Sequence, residues 1–137
     1  MKGVEGEFIM IEYTLIMPDE QCHETLKAVE LLMRLKLGQY QELIYTLCDI
    51  YNPKLSKTIS EADSILKTAF EKMNKHKKTT EYKDEEWYRL YNIYQVLRKA
   101  IHDAEHPEGQ GLDSYEPMRL TEEPLPIVKW IKKGEVE

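Results

Sequence analysis

The sequence predicts a mainly α fold with a minor β component, built as one domain. Three observations carry this. Apolar residues recur every three or four positions over residues 20–51, 60–77 and 83–105, the period of amphipathic helices. One segment, residues 7–16, alternates instead and is rich in β-branched and aromatic types. Residues 107–126 hold four of the six prolines and cannot be helical.

The first element is the expected N-terminal β-strand at 7–16. Ile9, Ile11, Tyr13 and Leu15 fall on one face, and Phe8, Met10 and Ile16 on the other. Pro18 stops it, and Asp19 is placed to cap the helix that follows. That helix is marked by Leu26, Val29, Met33, Leu37, Tyr40, Ile44, Leu47 and Tyr51. The stripe runs through Gly38, which costs about 1 kcal/mol relative to Ala inside a helix. Two outcomes fit: one long helix over 20–51 kinked near Gly38, which the continuous phase favours, or a helix pair meeting there. Asn52-Pro53 ends the unit.

Ser60 is the expected cap of a second helix over 60–77, with Ala62, Ile65, Leu66, Ala69, Phe70 and Met73 facing inward. Its lysine-rich end, Lys72 to Lys78, suits the negative end of a helix dipole. A third helix over 83–105 opens on Asp84-Glu85-Glu86 and points Trp87, Leu90, Tyr91, Tyr94, Leu97 and Ile101 at the core. Residues 107–137 read as an extended Pro-rich tail, with a possible short strand at 127–131. A lone strand needs a partner for its main-chain groups. The candidates for 7–16 are the 127–131 segment and the same strand of a second copy. The second option makes the protein a homodimer or higher homo-oligomer.

Composition removes several functions. The 137 residues are 42% hydrophobic and 32% charged, which suits a folded domain and not an acidic disordered tail. The net charge of −6 argues against nucleic-acid binding. The charge is uneven: residues 1–53 carry −5, residues 54–99 carry +4 and residues 100–137 carry −5. The basic middle lacks the interleaved aromatics of a strand-stacking platform. Cys22 and Cys48 are too few to staple a secreted scaffold, and the N-terminus does not read as a signal peptide, so a cytoplasmic location is expected. No segment has the roughly 18 apolar residues of a membrane span.

Catalytic motifs are nearly absent. There is no G-x-S-x-G elbow, P-loop or G-x-G-x-x-G. His102-Asp103-Ala104-Glu105-His106 matches H-x-x-E-H, whose histidines share a helix face and can hold zinc. Here the match ends directly before Pro107, where a helix frays, so no metal site and no other cofactor is expected. The candidate binding residues lie elsewhere. Tyr91 and Tyr94 share a face with Trp87, and Tyr keeps a polar tip suited to pocket rims. Arg98 lies one turn beyond Tyr94. Arg34, Gln39 and Tyr40 flank Gly38, where a bend frees backbone groups for Gln39 to satisfy.

Three stretches also resemble a family of small bacteriophage and prophage proteins. Arg34-Leu35-Lys36-Leu37-Gly38-Gln39-Tyr40 is similar to its Arg-x3-Gly-Gln-aromatic signature. Asn92-Ile93-Tyr94-Gln95-Val96-Leu97-Arg98 is similar to its YQV-x-R helix. Glu116-Pro117-Met118-Arg119 with Glu123-Pro124-Leu125-Pro126 is similar to its Pro-rich tail. Lys99 and Asp103 stand near places where the family often has His and Trp. The resemblance implies an origin on a mobile element and no particular chemistry. The sequence reading is therefore a non-enzymatic interaction protein of phage or prophage origin, acting on a host or phage protein. The alternative is a small-molecule or nucleotide-binding protein with a polar pocket near Gly38 or at a subunit interface.

Overall fold

The computed structural model of the chain describes residues 11–75, 82–108 and 116–132. The protein is mainly helical, and no strand occurs among the described residues. The helices are α1 (Asp19–Lys36), α2 (Gln41–Leu47), α3 (Ser56–Asn74) and α4 (Glu85–Glu105), with a 3₁₀ turn at Pro53–Leu55 before α3. α1 packs mainly against α4, and α2 packs mainly against α3. The chain crosses from one pair to the other at Gly38.

That crossing corrects the kinked helix expected over 20–51. Leu37 closes α1, and Gly38 follows in the left-handed region at φ 83°. Gly38 N–H donates to Leu35 O at 2.9 Å, and Gln39 N–H donates to Arg34 O at 3.0 Å. These two bonds are a Schellman motif, which satisfies the last carbonyls of a helix and requires a residue tolerant of positive φ. The glycine therefore terminates one helix, and α2 begins three residues later. The unbroken hydrophobic phase concealed this because a Schellman turn can bring the chain out with its apolar face still on the same side.

Three further expectations change. Pro18, not Asp19, stands at the N-cap of α1; it has no side-chain oxygen to offer, and its carbonyl accepts from Cys22 N–H at 3.1 Å. Ser60 lies inside α3, which starts four residues earlier on the 3₁₀ turn made by Pro53. The expected strand at 7–16 is not seen in its described part: residues 11–16 have no regular structure, and residues 7–10 lie outside the described residues. Residues 127–131 likewise form no strand. Neither segment is hydrogen-bonded through its main chain to the rest of the described protein, so neither has the ladder that a strand needs.

α4 is the centre of the molecule. Asp84 caps it, with Oδ1 accepting from Trp87 N–H at 2.8 Å. The other oxygen of Asp84 accepts from Lys36 Nζ at 3.2 Å, and Glu86 accepts from the same ammonium at 2.6 Å. The end of α1 is thereby tied to the start of α4. Trp87, Val96, Leu97, Ala100 and Ile101 are buried on α4, as are Met33 on α1 and Ile44 on α2.

The tail segment 116–123 runs antiparallel along another face of α4. Gln95 makes two bonds to one residue: its Nε2 donates to Met118 O at 2.9 Å, and its Oε1 accepts from Met118 N–H at 2.8 Å. Asn92 Oδ1 accepts from Leu120 N–H at 3.1 Å, and its Nδ2 donates to Thr121 Oγ1 at 2.8 Å. Arg89 pairs with Glu123 at 2.7 Å, and Lys99 approaches Glu116 at 3.8 Å. Residues 89, 92, 95 and 99 recur at helical spacing, so one stripe of α4 reads the strap over its length. A polypeptide with no strand neighbour finds its main-chain partners here in two side-chain amides.

Candidate functional site

Two open clefts flank the Gly38 turn. One, of about 330 Å³, lies between the turn and α3 and is lined by Tyr40, Phe70 and Lys67 among others. Tyr40 stacks obliquely on Phe70 there, with ring centroids 5.6 Å apart. The other, of about 250 Å³, lies between α1 and α4. Met33, Leu37, Trp87 and Tyr94 supply its apolar walls, and Glu30, Arg34 and Gln39 supply polar groups.

The second cleft gathers three of the residues singled out by the sequence: Arg34, Gln39 and Tyr94. Arg34 is already engaged. Its Nε and Nη2 donate to Glu30 at 3.0 and 2.7 Å, and its Nη1 donates to Glu42 at 3.3 Å. The Glu42 bond bridges the Schellman turn from α1 to α2, and the Glu30 bonds, within α1, are the largest cause of an Arg34 pKa raised above its ordinary value. Gln39 contributes its backbone N–H to the turn and is exposed at the rim. Tyr40 belongs to the other cleft. Tyr91 is the middle rung of a ladder: it stacks on Trp87 at 5.3 Å and on Tyr94 at 5.9 Å. Arg98 lines neither cleft; its guanidinium lies 5.7 Å from the centre of the Tyr94 ring.

Trp87 is the residue whose importance the sequence reading understated. It is 8% exposed, and its indole Nε1–H has no hydrogen-bond partner among the described residues. The ring is otherwise well covered. Tyr88 meets it edge-on at 5.3 Å, and Lys83 Nζ lies 5.0 Å from its centre. Asn92 and Gln95 were also missed as structural residues. Both are buried, at 2% and 3% exposure, which is rare for side-chain amides unless they are bonded. Two amides three residues apart beside an apolar stripe were the available signal. Their partners lie 23 to 29 residues away, beyond the reach of any local pattern.

His102 and His106 are neighbours at the end of α4. The rings lie 4.9 Å apart, but His106 is the residue after α4 and is exposed. Among the described residues no three His, Cys, Asp or Glu side chains converge on one point. No described helix is long and apolar enough to cross a membrane. Comparison with protein-family models, with curated proteins and with solved structures finds no match for the chain.

Proposed function

We propose that the chain is a non-enzymatic interaction protein of phage or prophage origin, which associates with itself and offers an apolar surface to a host or phage protein. The imbalance between core and surface carries this reading. Seven apolar side chains are buried among the described residues, and none is below 2% exposed. Against that small core stand contiguous exposed runs. Ile11, Tyr13, Leu15 and Ile16 are each at least 73% exposed, and Ile127 and Ile131 are 84% and 79% exposed. Single exposed apolar residues are ordinary, but neighbouring ones mark an interaction surface.

A second copy is the first occupant to test. The 11–16 and 127–131 segments combine exposed apolar side chains with main-chain groups that bond to nothing else in the described chain. Such groups pair readily with an extended segment of another molecule. The non-enzymatic part rests on the missing catalytic motifs of the sequence and on the thiols among the described residues. The Cys48 thiol donates to Ile44 O at 3.2 Å, and burial and then Asp19 push the Cys22 thiol pKa up, which disfavours its thiolate. The phage origin rests on the three ordered motifs. Sedimentation velocity over a concentration series tests the association. The expected result is a mass that rises above 16.2 kDa with concentration and falls back in the Ile16→Glu, Ile131→Glu double variant. A 16.2 kDa species throughout the series refutes self-association.

A further inference from the structure

We infer that the proposed self-association, on which this rests, seats the extended 11–16 segment of one copy in the cleft between the Gly38 turn and α3 of another. The walls of that cleft are aromatic. Tyr40, Phe70 and Tyr82 line it, and each is half-buried, so none is sealed into the core. Tyr40 and Phe70 meet at 48° and form a corner, not a flat wall. At about 330 Å³ the space has room for apolar side chains from outside.

Charge then selects the occupant. Lys67 and Lys75 also line the cleft; both are exposed, and neither forms an ion pair among the described residues. Glu71 lies between them, so the local balance is two cations to one anion. The surface therefore suits a segment that is apolar and acidic. The chain carries two exposed apolar segments, and they differ in sign. Residues 11–16 hold Glu12 and no cation, whereas residues 127–131 hold Lys129 and no acid. The second segment would bring like charge to the lysines, which opposes docking. Glu12 has no ion-pair partner among the described residues. The whole chain divides the same way: residues 1–53 carry −5, and residues 54–99, which include α3, carry +4.

The dimensions agree. Lys75 is the C-cap of α3, eight residues beyond Lys67, which is about 12 Å along a helix axis. Six extended residues span about 20 Å, enough to pass both lysines. In an extended chain Tyr13 and Leu15 point to one side and can enter the cleft, while Glu12 turns to the rim where the ammonium groups stand. Asn74 is placed to hold the main chain of the segment. Its Nδ2 donates to Phe70 O at 3.0 Å, and its Oδ1 accepts from nothing among the described residues. The same fold already holds extended backbone in this manner, since Asn92 Oδ1 accepts from Leu120 N–H at 3.1 Å.

Sedimentation velocity on charge-reversed chains tests the docking. Every substituted position is exposed, so the fold is kept. Glu12→Lys, and separately Lys67→Glu with Lys75→Glu, place like charges across the contact, and each should weaken association at least fivefold. The triple variant restores opposite charge and should associate within twofold of the parent chain. Lys57→Glu with Lys72→Glu makes the same change in net charge on α3 outside the cleft and should change association less than twofold. A triple variant no tighter than the weaker of its two components overturns the docking, as does a cleft reversal that acts no more strongly than the control pair. If the cleft reversal weakens association and Glu12→Lys does not, another part of the second copy fills the cleft and the assignment of 11–16 is overturned. In each of these cases the parent chain still self-associates, so only the docking falls. A parent chain that stays monomeric throughout removes the self-association and the docking together.

Discussion

Replacing Gly38 by alanine separates two architectures by the sign of its effect. In the structure Gly38 sits at φ 83°, and a Cβ built there meets nothing within 4 Å. The cost is therefore one of backbone alone. A left-handed conformation costs an L-residue roughly 1–2 kcal/mol. Loss of freedom in the unfolded chain returns about 0.4–1 kcal/mol. The difference is a net destabilisation of about 1 kcal/mol. In a continuous kinked helix the same change would stabilise, because alanine is favoured over glycine in a helix interior by about 0.8–1.0 kcal/mol. Urea unfolding at one fixed protein concentration reads the answer as a change in midpoint at constant slope. Gly38→Ala should lower the midpoint, and Gly38→Asn should lower it less, because asparagine tolerates the left-handed region. A raised midpoint for Gly38→Ala would refute the helix-terminating role.

Three other outcomes follow from the ties around α4. Asp84→Ala should cost about 1–2 kcal/mol through loss of the N-cap bond, whereas Asp84→Asn, which retains a capping oxygen, should cost less; thermal unfolding compares them. Gln95→Ala should release the strap, so hydrogen exchange should quicken at Met118 and Leu120 N–H while the amides of α4 stay protected. Glu123 is held down to about 2, first by a bond from the Thr121 hydroxyl and then by Arg89. A carboxyl with a depressed folded pKa stabilises above its unfolded value of about 4.5, and the effect is lost as pH falls through about 2. Unfolding temperatures at pH 4.5 and pH 2 should therefore diverge less in Glu123→Gln than in the parent chain. An equal divergence would mean that Glu123 does not anchor the strap.

The helical character was legible because a period of 3.6 is written locally in the side chains. Trp87, Leu97 and Ile101 declare a buried face of α4 without reference to any neighbour. The break at Gly38 was ambiguous because a kink and a Schellman turn need the same residue, and what separates them is the sign of φ. The strand at 7–16 was suggested by residue type, but a strand exists only through its partner. Among the described residues, 11–16 has no main-chain partner. The cleft was partly legible: Arg34, Gln39 and Tyr94 flank it, while Arg98 sits off it. Arg34 stands out in the sequence as a candidate binding residue, and its engagement by Glu42, eight residues on, depends on the turn between them. The orphaned Trp87 N–H has no sequence signal at all, since it is defined by what surrounds the ring and fails to accept from it.

In the proposed assembly the exposed apolar segments are completed by another copy of the chain. Isotope-filtered NMR on an equal mixture of labelled and unlabelled protein tests it directly, because only contacts between copies survive the filter. Intermolecular contacts are expected from the side chains of Ile11, Leu15 and Ile16 or of Ile127 and Ile131. Filtered spectra with contacts confined to other surfaces, or with none at concentrations where the sample sediments as an oligomer, would contradict it.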